Sequence, residues 1–227
     1  MEITKKNTLI DNSESLKMVD ALKECFNDTE IKIAKIATGY WDIPGLTLVI
    51  DELRGFIERG GSLQLLIGTD PVARSYQLKE IEEKNLKFPY DFIRRDLREL
   101  KVKDEYQSVI DLLISNIGSK GSEAKIQICM LPKREDGDAQ FLHAKCYIFL
   151  GGDSDKGIIG SSNFTQKGLE DNNELNVLEN GSNSLRYLCF VCWLQRKVCY
   201  VGFYHAQTIE YWYRQLQIQK FLHQQNR

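Results

Sequence analysis

The 227-residue sequence predicts an α/β fold, a mixed, largely parallel sheet with helices on both faces. Three observations carry that expectation. Apolar runs of strand length recur along the chain, stretches with apolar residues three and four apart separate the first of them, and the later runs are joined by short connections rich in Gly and Asp.

The elements follow in order. "SLKMVDALKECFN" at 15–27 sets Leu16, Val19, Leu22, Cys25 and Phe26 at helical spacing, and "EIKIAKIAT" at 30–38 has a strand pattern. "TGYWDIPG" is turn chemistry, "LTLVIDELRGFIERGG" reads as one helix stopped by Gly60 and Gly61, and "SLQLLIGTD" at 62–70 reads as a buried strand. A helix between two strands is a β-α-β unit, so this pair is expected to be parallel. Residues 71–117 follow helical periods, with Pro89 dividing at least two helices. Strands follow at 124–131, 141–150 and 157–161, the last two joined by "GGDSDK", whose Gly and Asp suit a hairpin turn. A short helix near 165–169 and a strand at 173–179 complete the set.

Composition narrows the functional classes. With 42% hydrophobic and 27% charged residues the chain reads as soluble and globular. A net charge of −2 is not that of a protein coating nucleic acid with a basic surface, so any phosphate site must be local. The N-terminal "MEITKKNTLI" leads into a polar segment, not an apolar signal run, and a cytoplasmic protein is expected. Cys25, Cys129 and Cys146 lie in apolar runs and read as reduced core residues. No His, Asp and Glu set has metal-ligand spacing, and "CFVC" at 189–192 with Cys199 and His205 is an incomplete zinc pattern. No metal or cofactor is expected.

Residues 1–180 read as one domain and 181–227 as an atypical tail. The tail holds three of six cysteines, ten of twenty-three aromatics, six Lys and Arg, and a single acid, Glu210. It fits a surface that stacks on nucleic acid, a docking or membrane-peripheral segment, or an out-of-frame extension; "YLCFVCWL" is too short to span a bilayer.

Chemistry concentrates in "QFLHAKCYIF" at 140–149 and "GIIGSSNFTQKGL" at 157–169. Strand alternation puts His143, Lys145 and Tyr147 on one side. An ammonium offers a phosphate a point charge and three donors, and an imidazole serves as nucleophile or acid. In "GSSN", Gly160 permits close backbone approach, Ser161 brings a hydroxyl and Asn163 an amide donor, while Glu174 at the start of the next strand is placed to orient an imidazole. The loops "TGYWD" and "GTDPVARS" are expected at the same sheet edge, making Tyr40, Trp41 and Arg74 candidate substrate contacts. The plain alternative is a hairpin whose outward face happens to carry His143 and Lys145.

In this order the residues resemble the phospholipase D superfamily, whose signature is His-x-Lys-x4-Asp, then Gly-Ser-x-Asn, then a glutamate on the next strand. The matching positions are His143 and Lys145, then Gly160, Ser161 and Asn163, then Glu174. The resemblance spans residues 10–180 and points to the nuclease-like branch often attached to helicases or restriction enzymes. Leu150 stands where the superfamily has its aspartate, a residue regarded there as structural; the nearest acids are Asp153 and Asp155. The resemblance implies metal-independent phosphodiester cleavage, most readily of DNA, through a phosphohistidine, with Lys145 and Asn163 stabilising the phosphoryl oxygens and a second histidine as acid and base. A phospholipase or phosphatidyl transferase, and a non-catalytic nucleic-acid-binding module, are the alternatives. Of three histidines only His143 has a lysine two residues on, since His205 and His223 lie in the tail. The second catalytic histidine is therefore expected from a homodimer sharing one site, with a helicase or restriction partner and no membrane association.

Overall fold

A computed structural model describes residues 8–13, 16–68, 106–117, 125–130 and 142–181. The strands are β1 (Thr8–Ile10), β2 (Ile33–Thr38), β3 (Ser62–Ile67), β4 (Ile126–Met130), β5 (Cys146–Leu150), β6 (Lys156–Gly160) and β7 (Asn176–Asn180). The described helices are α1 (Met18–Asn27), α2 (Ile43–Thr47), α3 (Ile50–Glu58) and α4 (Gln107–Asn116), with a π-helical turn at Lys167–Asp171. The strands form one seven-stranded sheet in the order β1-β7-β6-β5-β2-β3-β4.

The mixed α/β architecture is as expected, but the sheet is not largely parallel. Only β2 with β3 and β3 with β4 are parallel; β2 with β5, β5 with β6, β6 with β7 and β1 with β7 are antiparallel. The reason lies in the connections. A parallel neighbour needs a crossover of a dozen or more residues, which α3 belongs to, whereas five residues separate β5 from β6 and leave room only for a hairpin. That hairpin is closed by Asp155, whose Oδ1 accepts the Gly151 N–H at 2.7 Å. A turn acid thus holds the hairpin that begins after Leu150.

The segment expected to be one helix over 46–61 is two. Asp42 caps α2 by accepting the Gly45 N–H at 2.7 Å, and the chain turns at Leu48 and Val49 before α3 begins. Gly60 ends α3 at φ +88°, a left-handed conformation that favours glycine, and the Gly61 N–H closes onto Phe56 O at 2.9 Å.

The sheet register sorts side chains by face. Leu178, Ile158, Tyr147, Ile36, Leu65 and Ile128 are successive cross-strand partners and all are buried. Phe149, on the same side as Tyr147, meets Phe26 of α1 edge to face at 5.2 Å, and Phe26 meets Phe56 of α3 at 5.5 Å, so this is the helix-covered face. Helix α1 touches α3, and α3 touches α4, in one connected layer. Most of 71–117, where at least two helices divided by Pro89 were expected, lies outside the described residues.

On the second face Cys129, Leu66, Ala37 and Cys146 are buried in register, but their continuation on the outer strands is not: Ile159 is 43% exposed, Val177 38% and Leu9 57%. Cys25, Cys129 and Cys146 are free and buried, and burial pushes the Cys25 thiol up to about 12.

Lys156 ties the hairpin to the helix layer by ion pairs with α1. Lys156 Nζ lies 2.9 Å from Asp28 Oδ2 and 4.0 Å from Glu24 Oε1, at the C-terminal end of α1 where a cation also faces the negative end of the helix dipole. Burial works against both charges, yet the bond to Lys156 holds Asp28 below the usual carboxylate range, and Asp28 holds Lys156 above the usual lysine value. Stability drawn from Asp28 is therefore present above its unfolded pKa and lost as pH falls through its lower folded pKa. Asp28→Asn should cost about 1–2 kcal/mol at pH 7. It should also flatten the acid limb of stability against pH, as read by urea unfolding at several pH values; an unchanged midpoint at pH 7 rules the pair out as a support.

Candidate active site

Antiparallel pairing sets the site. Because β5 runs opposite to both β2 and β6, the residues leading into β5 meet the C-terminal ends of those strands. The edge is the one expected, reached by opposite strand directions. Strand β5 begins at Cys146, so His143 and Lys145 sit in the extended segment just before it and are not governed by strand alternation. His143 is exposed, and Lys145 is 6% exposed with its Nζ donating to the His143 carbonyl at 2.9 Å. The Lys145 carbonyl accepts the Gly160 N–H at 3.3 Å, pinning this segment to the end of β6.

Beyond Gly160 the chain is held by a wholly buried polar cluster. Ser162 N–H donates to Asn176 Oδ1 at 3.1 Å, Asn176 Nδ2 donates to Ser162 Oγ at 2.8 Å, and the Tyr147 hydroxyl donates to Ser162 O at 2.7 Å. Asn163 follows at once. Its Oδ1 accepts the Tyr40 N–H at 3.1 Å, which fixes the amide with Nδ2 as the side not bonded among the described residues. Gly39 is the floor between Asn163 and Lys145: a Cβ there would stand 3.2 Å from Asn163 Oδ1 and 3.5 Å from Lys145 Nζ. A missing side chain lets the ammonium and the amide approach one point.

The other expected residues fall as follows. Glu174 is half-buried and lies two residues before the start of β7; its Oε1 accepts from Asn172 Nδ2 at 3.2 Å, and its charge reaches Lys145. Ser161 Oγ accepts the Leu175 N–H at 2.9 Å and its own N–H donates to Leu175 O, so it laces the loop to β7. Tyr40 contributes main-chain groups. Trp41 is 7% exposed beside Phe164, and its indole N–H has no partner among the described residues. Arg74 lies outside the described residues. Among the described residues no group of three or more His, Cys, Asp or Glu could hold a metal ion, and none of the described helices is long and apolar enough to cross a membrane.

A family model described as cardiolipin synthase, PLD-like domain, matches residues 22–188. The chain belongs to the phospholipase D-like domain family. In fold this phospholipase D-like chain is similar to NucT from Helicobacter pylori (16% identity over 88% of this chain and 99% of that one, TM-score 0.51). It is similar also to Nuc from Salmonella typhimurium, a phospholipase D family member (12% identity, 88% of this chain and 98% of that one, TM-score 0.52). A phosphatidylserine synthase from Haemophilus influenzae Rd KW20 shares the fold at 11% identity, over 92% of this chain and 43% of that one, with a TM-score of 0.53. Comparison with curated protein sequences gives no match.

Sequence reasoning missed Thr38, Gly39, Ser162 and Asn176, which hold in place the segments that carry Lys145 and Asn163. Asn176 carried a signal: it has the strand phase of buried Leu178, where a polar residue needs a dedicated partner.

Burial draws the Lys145 ammonium below the ordinary lysine range, and Glu174 opposes that fall. Lys145 therefore loses its proton at a lower pH than an exposed lysine, and without the Glu174 charge it should do so lower still. In Glu174→Gln the alkaline limb of phosphate binding should move to lower pH. Lys145→Met should bind no phosphate yet unfold at no lower temperature than wild type, because it removes a poorly compensated buried charge. A Lys145→Met protein that unfolds at a clearly lower temperature contradicts that electrostatic account.

Proposed function

We propose that the chain is a metal-independent phosphodiesterase that acts as a nuclease on DNA through a phosphohistidine at His143. The observation that carries this reading is the convergence of Lys145 Nζ and the Asn163 amide above Gly39, at the edge where His143 is exposed. An imidazole nitrogen of His143 attacks phosphorus, forming a P–N bond as the P–O bond to the leaving alcohol breaks. A second imidazole gives that oxygen its proton. The same imidazole, now neutral, takes a proton from water; the hydroxide displaces His143 and leaves a phosphomonoester. Lys145 and Asn163 Nδ2 offset the charge on the non-bridging oxygens, and Glu174 serves as the acid that orients the site.

DNA as substrate rests on the resemblance to the nuclease-like branch, and the fold shared with NucT and Nuc over nearly their whole lengths agrees with it. Residues 1–180 form the catalytic unit in this reading: β7, which carries Asn176, ends at Asn180. Ser161, Tyr40, Trp41 and Arg74 complete the substrate contacts, the protein works in the cytoplasm, and a helicase or restriction partner is proposed on the resemblance alone. The second reading, a phosphatidyl transferase, is favoured by the family description and by the phosphatidylserine synthase fold. Single- and double-stranded DNA, RNA and a phosphatidyl substrate should be offered with and without EDTA. The expected result is DNA cleavage at a rate EDTA does not change, abolished in His143→Asn at unchanged unfolding temperature. Cleavage that appears only with added magnesium overturns the mechanism, and turnover confined to the phosphatidyl substrate selects the second reading.

The reaction needs two imidazoles, and the catalytic unit holds one histidine. A homodimer supplies the other. Its contact surface is the exposed row Leu9, Val177 and Ile159, extended by Leu175, which is 58% exposed and adjoins Glu174. Such an exposed apolar row, reaching the site through Leu175, suits an isologous contact. Sedimentation equilibrium should give twice the 26.2 kDa chain mass, Val177→Asp should give an inactive monomer, and wild type mixed with His143→Asn should lose turnover beyond dilution. A strictly monomeric protein that cleaves phosphodiesters refutes the shared site.

A further inference from the structure

We infer that Thr38 is a positioning residue, whose hydroxyl sets the donor face of Asn163 toward the substrate phosphoryl group; the inference rests on the phosphodiesterase reading above. Thr38 is the last residue of β2 and is 0% exposed. A buried hydroxyl has one proton to give and two lone pairs to offer. Thr38 Oγ1 stands 2.5 Å from Tyr40 O, 3.0 Å from the Phe164 nitrogen and 3.4 Å from Asn163 Oδ1. The proton goes to Tyr40 O, the shortest contact, because Phe164 N–H is itself a donor and Asn163 Oδ1 lies at the limit of bonding. The hydroxyl therefore grips the two chain segments that meet at Asn163, one from the end of β2 and one from the loop after β6.

The consequence is electronic as well as steric. With Tyr40 held, its N–H points at Asn163 Oδ1 from 3.1 Å. Turning the amide over would set Nδ2 against that N–H, two donors face to face, and leave a main-chain donor unpaired at a cost of about 1–3 kcal/mol. The amide is thus fixed before substrate arrives, with Nδ2 as the free donor, so no reorganisation is needed as charge develops on phosphorus. Gly39 extends the device: the residue between Thr38 and Tyr40 has no side chain to separate Asn163 from Lys145. A threonine that merely filled the strand end would have no need of both a donated and an accepted bond to different segments.

Thr38→Val keeps the shape and removes the hydroxyl; Thr38→Ser keeps the hydroxyl and removes the methyl group. For the full chain we expect Thr38→Val to lower kcat about ten- to a hundredfold with KM changed by less than about threefold, and Thr38→Ser to stay within about threefold of wild type. Thr38→Ala replaces valine if the latter does not fold. Independently of turnover, the Asn163 side-chain NH2 signals and the Tyr40 amide exchange rate, measured by NMR with and without inorganic phosphate, should show one fixed amide in wild type and serine variant and an averaging amide in the valine variant. Equal kcat per folded molecule in wild type and Thr38→Val overturns the inference, as does an Asn163 amide that stays fixed in the valine variant. If wild type cleaves no phosphodiester at all, the functional reading fails while the NMR comparison still decides the role of Thr38.

Discussion

Ser162 is the point from which the active edge of this protein is built. It is fully buried, and its N–H, carbonyl and hydroxyl are each bonded: to Asn176 Oδ1, by the Tyr147 hydroxyl and by Asn176 Nδ2. Each group left unpaired in that setting would cost about 1–3 kcal/mol, so the corner has one arrangement. Tyr147 lies two residues after Lys145, Asn163 one after Ser162, and Glu174 two before Asn176. Three residues that would act on a phosphate are thus each one or two positions from a member of one buried cluster. The chain carries its polar chemistry on a scaffold that is itself polar and closed to water.

That arrangement explains how much of the fold could be read in advance. The β2-α3-β3 unit was legible because its periods change from two to 3.6 and back, with Gly60 stopping the helix. Ladder direction was not legible from any single run, since a buried parallel strand and a central antiparallel strand are both continuous apolar stretches. The "GGDSDK" turn did contain the answer for β5 and β6. The shorter extent of β5 was hidden too: "FLHAK" is as apolar and β-prone as "CYIFL", yet the paired strand begins only at Cys146. A three-residue β1 in a charged N-terminus gave no periodic signal at all.

For the site the motif pointed to Lys145, Asn163, Glu174 and Ser161, and it did not single out Ser162. Ser161 is the outer residue that stitches the loop to Leu175, and Ser162 is the hub. Two adjacent serines look alike in a sequence; which is buried depends on the strand partner 14 residues on. Thr38 was invisible for the same reason, because its partners lie 125 and 126 residues away.

The electrostatics of Lys145 tie folding to function. Its side chain is buried, its ammonium donates to one carbonyl, and burial lowers its pKa against the opposing charge of Glu174. A cation so placed is costly to keep charged, and the chain as a whole, at a net charge of −2, supplies no general excess of positive charge to attract a polyanion. Under the proposed function, a phosphoryl group beside Lys145 would supply the counter-charge that burial makes the ammonium need. Binding would then stabilise the protonated lysine, so affinity and protonation would rise together by linkage. The cost of keeping the ammonium charged in the free protein would be offset by the anion that the proposed reaction acts on.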